Sequence, residues 1–224
     1  MVKFNLSLEM KCKMVSWDEV YQFCKILAKK VEESGFKPET IIGLARSGFV
    51  PSRLLSDFLG ITDLVCLKVE HWLDTTGEHK DEATIPYRVP FKIEGKKVLV
   101  VDDIVDTGKS MDASINYIKM FKPKEVKSAV MQYITSSQHV PDYWVIKVTD
   151  WTWFIYPWNK VEDLCNLTLR LLKKSEKGLS LNQIKNGFKE KFGLEIDVET
   201  LNEITETLKK RGKACLVEGL WKSS

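Results

Sequence analysis

The sequence predicts an α/β fold, a mostly parallel twisted sheet with helices on its faces. Three observations carry that reading. Short apolar runs recur at the start of "TIIGLARSG", at 64–72, at 98–101 and at 125–135. Helical patterns separate several of them, an alternation that builds parallel sheets. Two polar loops, "GLARSG" and "DDIVDTGKS", sit at strand ends. In such sheets ligands bind at the carboxyl ends of the strands, so two loops there mark one site.

The elements follow in chain order. Residues 16–34 read as an amphipathic helix: Ser16 and Glu19 have capping-box spacing, and Val20, Cys24, Leu27 and Val31 repeat at helical intervals. Gly35 ends it. A short strand, a loop with Gly43 and Gly48, and a helix reaching Leu59 come next. "LVCLKVEHW", residues 64–72, reads as one strand. Residues 73–92 are polar and turn-rich, and a loop of that length is functional or mobile; 73–88 are expected to move without substrate. Val98–Val101 form a buried strand that ends before Asp102. A helix from about Lys109 to Phe121 and a strand over 125–135 complete the pattern.

Composition bounds the function. The 224 residues allow one ordinary domain plus a small appendage, and 44% hydrophobic with 29% charged residues describes a globular chain. The apolar runs are too short for a membrane span. "MVKFNLSLEMKCK" has no signal-peptide core. Five cysteines without C-x-x-C spacing read as free thiols in a reducing cytoplasm. A net charge of +3 is too small to argue for nucleic acid.

The chemistry concentrates in "VLVVDDIVDTGKS", residues 98–110. A plain turn with a polar cap needs one Asp or Asn, not three acids and then Thr-Gly-Lys-Ser. The ending resembles a P-loop, but that motif needs glycine where Asp103 stands. What remains is a loop of small and hydroxyl residues entering a helix N-terminus. Its backbone N–H groups, with Thr107 and Ser110, suit one phosphate monoester. Asp102 and Asp103 repel phosphate; they suit vicinal hydroxyls or a hydrated Mg²⁺. Sugar hydroxyls beside a sugar phosphate point to a ribose 5-phosphate.

These residues resemble the signature of the type I phosphoribosyltransferases: an apolar strand, two acids, two residues, then D/T-T-G-x-T/S. "GLARSGFVPSRLL" resembles that family's pyrophosphate loop, "LKVEHW" with the polar stretch after it resembles the loop that closes over substrate, and "WTWFIYPW", residues 151–158, resembles the hood that carries the base. The likeness covers about residues 10–170 and leans to the 6-oxopurine enzymes, with Asp106 typical of purine signatures. It implies transfer of 5-phosphoribose from phosphoribosyl pyrophosphate to a purine, with Mg²⁺ as cofactor. Asp106 and Arg46 are the implied catalytic residues. Ala45, Arg46, Ser47, Gly48, Asp102, Asp103, Asp106, Thr107, Gly108, Lys109 and Ser110 bind phosphoribosyl pyrophosphate or nucleotide. Trp153, Phe154, Thr135 and Ser136 bind the base, with Trp151 competing for the stacking role. Asp102 and Asp103 meet the metal indirectly, through ribose hydroxyls or water. The family is usually dimeric or larger.

The 6-oxopurine enzymes place a lysine just past the strand corresponding to 125–135. Here no lysine occurs between Ser128 and Trp144, and the position falls on Thr135, Ser136 or Ser137. Lys147 is the nearest later candidate. A lysine only donates and so rejects a 6-amino group; its absence leans the reading to adenine and AMP, with hypoxanthine, guanine or xanthine as the alternative. A non-catalytic nucleotide sensor on the same fold is the rival from another class; Asp106 and Arg46 favour the enzyme. Trp17, Trp144 and Trp221 read as packing residues. His71 and His79 read as solvated loop residues.

Domains are expected at 1–172, the core with its hood, and 173–224, a small helical appendage that vaguely resembles a winged helix. "SEKG" opens the appendage. Helices are expected from Leu181 to Phe192, with Ile184, Phe188 and Phe192 inward, and from Val198 to Arg211, with Leu201, Ile204 and Leu208 inward; "ACLVEGLW" follows as a hairpin. These residues hold 11 Lys and Arg against 8 Asp and Glu. Since no helix concentrates arginine, docking or oligomerisation is favoured over a nucleic-acid partner.

Overall fold

The computed structural model describes residues 9–72 and 79–224. Their elements are β1 (Cys12–Met14), α1 (Trp17–Glu33), β2 (Thr40–Ala45), α2 (Phe49–Phe58), β3 (Leu64–Lys68), β4 (Glu70–Trp72), β5 (His79–Thr84), β6 (Lys97–Val105), α3 (Lys109–Lys119), β7 (Glu125–Ile134), β8 (Tyr143–Val148), β9 (Trp153–Ile155), α4 (Lys160–Lys173), α5 (Leu181–Phe192), α6 (Val198–Lys210), β10 (Ala214–Val217) and β11 (Leu220–Ser223). They fall into two compact units: residues 16–72 with 79–151, and residues 9–15 with 152–224.

The larger unit is built on a five-stranded sheet in the order β3-β2-β6-β7-β8, with every neighbouring pair parallel. Parallel sheets are covered on both faces, and side chains alternate across them. Along β6, Leu99 and Val101 join Leu27, Val31 and Leu55 of α1 and α2 in one core; Val98 and Val100 join Met111 and Ile118 of α3 in the other. The capping box starts α1 as its spacing predicts, with Ser16 Oγ accepting from Glu19 N–H at 3.1 Å and Ser16 N–H donating to Glu19 at 2.8 Å. The chain runs from β2 to β3 at one edge, then crosses back to β6 on the other side of β2. The order therefore reverses between β2 and β6, and a crevice opens beyond their carboxyl ends.

Several expectations need correction. The strand read over 64–72 breaks at Val69 into β3 and β4, and β4 leaves the main sheet to pair antiparallel with β5. Part of the polar stretch 73–92 is thus a strand: "HKDEAT" pairs through its backbone, and polar side chains hid it. Of the segment 73–88 expected to move, residues 73–78 lie outside the described residues. The loop placed at Gly43 is strand; β2 continues to Ala45. The strand before the acid pair also continues, through Asp102 and Asp103 to Val105. Trp17 opens α1 and is 58% exposed rather than packed, because a first-turn position faces outward before the buried stripe begins at Val20. Trp221 is buried, and the Trp144 ring lies 5.6 Å from Tyr133.

In the smaller unit β1 pairs parallel with β9, with Lys13 opposite Phe154. Ile155 is buried in the core of this unit and Trp153 packs against the same core; alternation turns Phe154 the other way. Ser180 caps α5, accepting from Gln183 N–H. The anticipated Ile184, Phe188, Phe192, Leu201, Ile204 and Leu208 are all buried. The β10–β11 hairpin closes the chain, and Leu179 bridges antiparallel to Trp221. The boundary expected at 172–173 falls at the last turn of α4, whose Leu164, Leu171 and Leu172 share this core. No helix among the described residues is long and apolar enough to cross a membrane.

Leu99 is fully buried in the core beneath α1 and α2. Leu99→Ala is expected to cost about 2–5 kcal/mol, measured by urea unfolding.

Candidate active site

The crevice at the strand reversal is walled by the ends of β2 and β6. The chain leaves β2 through Ala45, Arg46, Ser47 and Gly48, and the Ala45–Arg46 peptide is cis. Gly48 is pressed onto both strands: a Cβ there would stand 2.6 Å from the carbonyl oxygens of Leu44 and Val101. Gly48 N–H donates to Leu44 O at 2.8 Å, and Ser52 N–H from α2 donates to Gly48 O at 3.1 Å. The loop is thereby fixed against β6, while the Arg46 side chain is exposed.

Asp102 and Asp103 lie within β6. Asp103 N–H donates to Asp102 Oδ1 at 2.9 Å, and Ile104 N–H donates to Asp103 Oδ1 at 2.8 Å. Each carboxyl is held by the next backbone amide. Asp103 is buried, and Asp102 keeps some accessible surface. Burial, and after it the charge of Asp103, pushes the Asp102 carboxyl well above the usual carboxylate range. Two adjacent acids in this state cost stability, which marks the position as one kept for ligand chemistry.

Asp106, Thr107, Gly108, Lys109 and Ser110 form the turn into α3, and all but the buried Gly108 are half-buried. Gly108 takes φ +87° at the N-cap, a left-handed conformation that glycine adopts without a Cβ penalty. No side chain caps α3. Its first amides and the Thr107 and Ser110 hydroxyls lie together at this turn, groups of the kind that suit an anion.

His71 is a residue the sequence reading misjudged. It was expected in solvent, but it sits on β4, only 3% exposed, with Nε2 3.3 Å from Thr107 Oγ1. The imidazole orients a hydroxyl of the phosphate loop. The stretch 64–72 reads as a strand, but the polar residues after it draw His71 toward the loop reading; the β4–β5 pairing is not visible in the local sequence. The His79 side chain lies outside the described side chains.

The remaining predicted residues are distributed as follows. Thr135 is half-buried at the end of β7, with its N–H donated to Val148 O at 2.9 Å; Ser136 is exposed. Ser137, the third residue at the missing-lysine position, is buried and donates to His139 O at 2.9 Å. Lys147 is exposed on β8. Trp151 is 41% exposed, and Trp153 and Phe154 belong to the smaller unit.

Among the described residues no cluster of three or more His, Cys, Asp or Glu side chains could hold a metal. Two adjacent carboxylates suit a magnesium ion bound mostly by substrate oxygens and water, which is its common coordination beside phosphates.

Two outcomes are expected. A carboxyl whose folded-state pKa is raised contributes its stability at low pH and loses it as pH rises through the raised value. Asp102→Asn removes that loss, so the variant is expected to be more stable at neutral pH by roughly 0.5–2 kcal/mol, with a flatter stability–pH profile and weaker phosphoribosyl pyrophosphate binding. Thermal unfolding across pH, with calorimetry, checks both. His71→Ala is expected to weaken binding of a 5′-nucleotide by about 1 kcal/mol without changing affinity for the free base, as equilibrium titration would show.

Known proteins share this arrangement. Residues 16–159 match the phosphoribosyl transferase domain family. The xanthine-guanine phosphoribosyltransferase of Desulfotalea psychrophila (strain LSv54 / DSM 12343) is 31% identical over 65% of this chain and 84% of its own. The crystal structure of a purine phosphoribosyltransferase from Pyrococcus horikoshii Ot3 superposes with a TM-score of 0.58 at 32% identity, over 66% of this chain and 94% of that one. A hypothetical protein from Neisseria gonorrhoeae with bound ppGpp gives a TM-score of 0.58 at 26% identity, over 74% and 98% of the two chains. With the acid pair, the phosphate turn and the β2 loop converging on one crevice, the chain belongs to the phosphoribosyl transferase domain family and is a purine phosphoribosyltransferase.

Proposed function

We propose that this enzyme transfers 5-phosphoribose from phosphoribosyl pyrophosphate to a 6-oxopurine, giving the nucleoside monophosphate and pyrophosphate. The observation that carries this reading is the acid pair beside an uncapped α3 N-terminus, at a crevice shared with the Arg46 loop. The choice of base is supported by the xanthine-guanine name of the Desulfotalea relative. This favours the 6-oxopurine alternative over the lean to adenine, which rested on one absent lysine; a hydroxyl donates as readily as it accepts. Thr135 or Ser136 supplies a donor toward O6 without an ammonium.

In this reading the α3 amides, Thr107 and Ser110 hold the 5′-phosphate, and the ribose hydroxyls donate to Asp102 and Asp103. C1′ gains positive charge as the bond to pyrophosphate breaks, so positioning and charge balance dominate the catalysis. Arg46, exposed at the crevice, offsets the charge on the departing pyrophosphate. The purine nitrogen attacks C1′, and the proton the base gives up goes to Asp106 as its acceptor. Asp102 and Asp103 would hold a Mg²⁺ ion indirectly, through ribose hydroxyls or water, and the ion would supply charge neutralisation for the pyrophosphate. The enzyme works as a dimer or larger assembly, which sedimentation tests.

The Neisseria neighbour with bound ppGpp favours a second reading. A site for ribose phosphates has the chemistry to take a guanosine polyphosphate, which would compete with phosphoribosyl pyrophosphate. Competitive inhibition by ppGpp supports it; no effect at saturating ppGpp removes it.

One assay tests the main reading: adenine, hypoxanthine, guanine and xanthine compete for labelled phosphoribosyl pyrophosphate with Mg²⁺. Guanine, xanthine or hypoxanthine is expected to be consumed well ahead of adenine; preferential adenine use would overturn the base assignment. Asp106→Asn is expected to lower kcat by about 10²-fold or more while leaving 5′-nucleotide affinity nearly unchanged.

A further inference from the structure

The loop after β7, residues 135–142, is held to the phosphate turn by a cluster centred on His139. Its Nδ1 lies 2.7 Å from Asp112 Oδ1, in the first turn of α3. Facing a carboxylate, that nitrogen is the N–H donor. Its Nε2 lies 3.1 Å from Oγ of Ser128, a fully buried residue of β7. Ser128 Oγ also lies 3.0 Å from Asp142 Oδ2 and accepts from Asp142 N–H at 3.1 Å. One imidazole therefore links α3, β7 and the loop that precedes β8.

The backbone around His139 touches the phosphate turn directly. Gln138 N–H donates to Thr107 O at 3.2 Å. A Cβ on Gly108 would stand 2.6 Å from both the Cβ and the backbone N of His139, and 2.8 Å from Ser137 Oγ. Ser137 Oγ accepts from His139 N–H at 3.2 Å, which stiffens the turn at that contact. Apolar packing contributes less here: Val140 is 61% exposed, and the Asp112 side chain is 51% exposed. Loss of the imidazole should loosen the loop without emptying a core.

We propose that His139 is a positioning residue that clamps the base-side loop 135–142 to the phosphate turn, so that base and 5′-phosphate are gripped by one body. The functional part rests on the reading above, in which Thr135 or Ser136 meets the base. The geometric part, the clamp, stands on the contacts themselves.

The test compares wild type with His139→Ala, His139→Asn and Asp112→Ala. The measurements are GMP binding by calorimetry, KM and kcat for guanine, thermal unfolding, and hydrogen exchange at the Gln138 and His139 amides. His139→Ala is expected to weaken GMP binding and raise KM for guanine by roughly ten- to a hundredfold, with kcat and the unfolding temperature little changed. Asp112→Ala is expected to follow it. His139→Asn, whose amide nitrogen replaces Nδ1 opposite Asp112, is expected to recover most of the loss. Wild-type values in His139→Ala would overturn the proposal, as would a loss of stability in His139→Ala with no recovery of KM in His139→Asn. If wild type binds GMP but turns over no 6-oxopurine, the functional reading fails and the clamp does not, because GMP binding still reads it. If GMP does not bind at all, the coupling to ligand is refuted, and faster exchange of the two amides in His139→Ala still decides whether the clamp exists.

Discussion

Two carboxylates side by side at the end of a strand buried on both faces are the constraint on which the rest depends. Asp102 and Asp103 lie side by side within β6, and the next backbone amide donates to each carboxyl. Burial and the charge of Asp103 raise the Asp102 carboxyl, so the folded chain carries an electrostatic cost, which under the proposed function a bound ribose would relieve. Such a pair persists only where the scaffold over-determines it. Here Val98–Val101 supply that scaffold, with all four side chains buried and two facing each core.

The strand order turns that local cost into a site. Because the chain reverses direction across the sheet between β2 and β6, the Arg46–Gly48 loop and the Asp106–Ser110 turn emerge as neighbours. Gly48 holds the first loop against the Leu44 and Val101 carbonyls. Gly108, with φ +87°, lets the second turn enter α3, where Lys109 N–H donates to Thr107 Oγ1 at 3.4 Å. His71 and His139 then approach the phosphate turn from opposite stretches of chain, one from β4 through Thr107, the other through Gly108. Under the proposed function the ligand chemistry would sit on backbone amides and carboxylates, with the two imidazoles as positioning groups.

Much of this was legible because it is local. Residues 98–110 carry their own strand, acid pair, glycine and helix start, and the capping boxes at Ser16 and Ser180 and the apolar spacing of α5 and α6 are written within single turns. What the sequence concealed depends on pairing. "HKDEAT" forms β5 because its backbone meets β4, although its side chains read as a loop. His71 is buried by the same pairing. His139 draws its partners from 27 and 11 residues away in sequence, which no local pattern reveals. The choice of base is not local in this way: the hydroxyls at 135–137 can donate or accept, so the absent lysine alone does not select between adenine and a 6-oxopurine.

The most direct measurement is a crystal structure of the enzyme with GMP bound. The account predicts the 5′-phosphate on the backbone amides of residues 107–110, with the ribose 2′- and 3′-hydroxyls donating to Asp102 and Asp103. A phosphate held elsewhere, with no sugar hydroxyl against the acid pair, would contradict it.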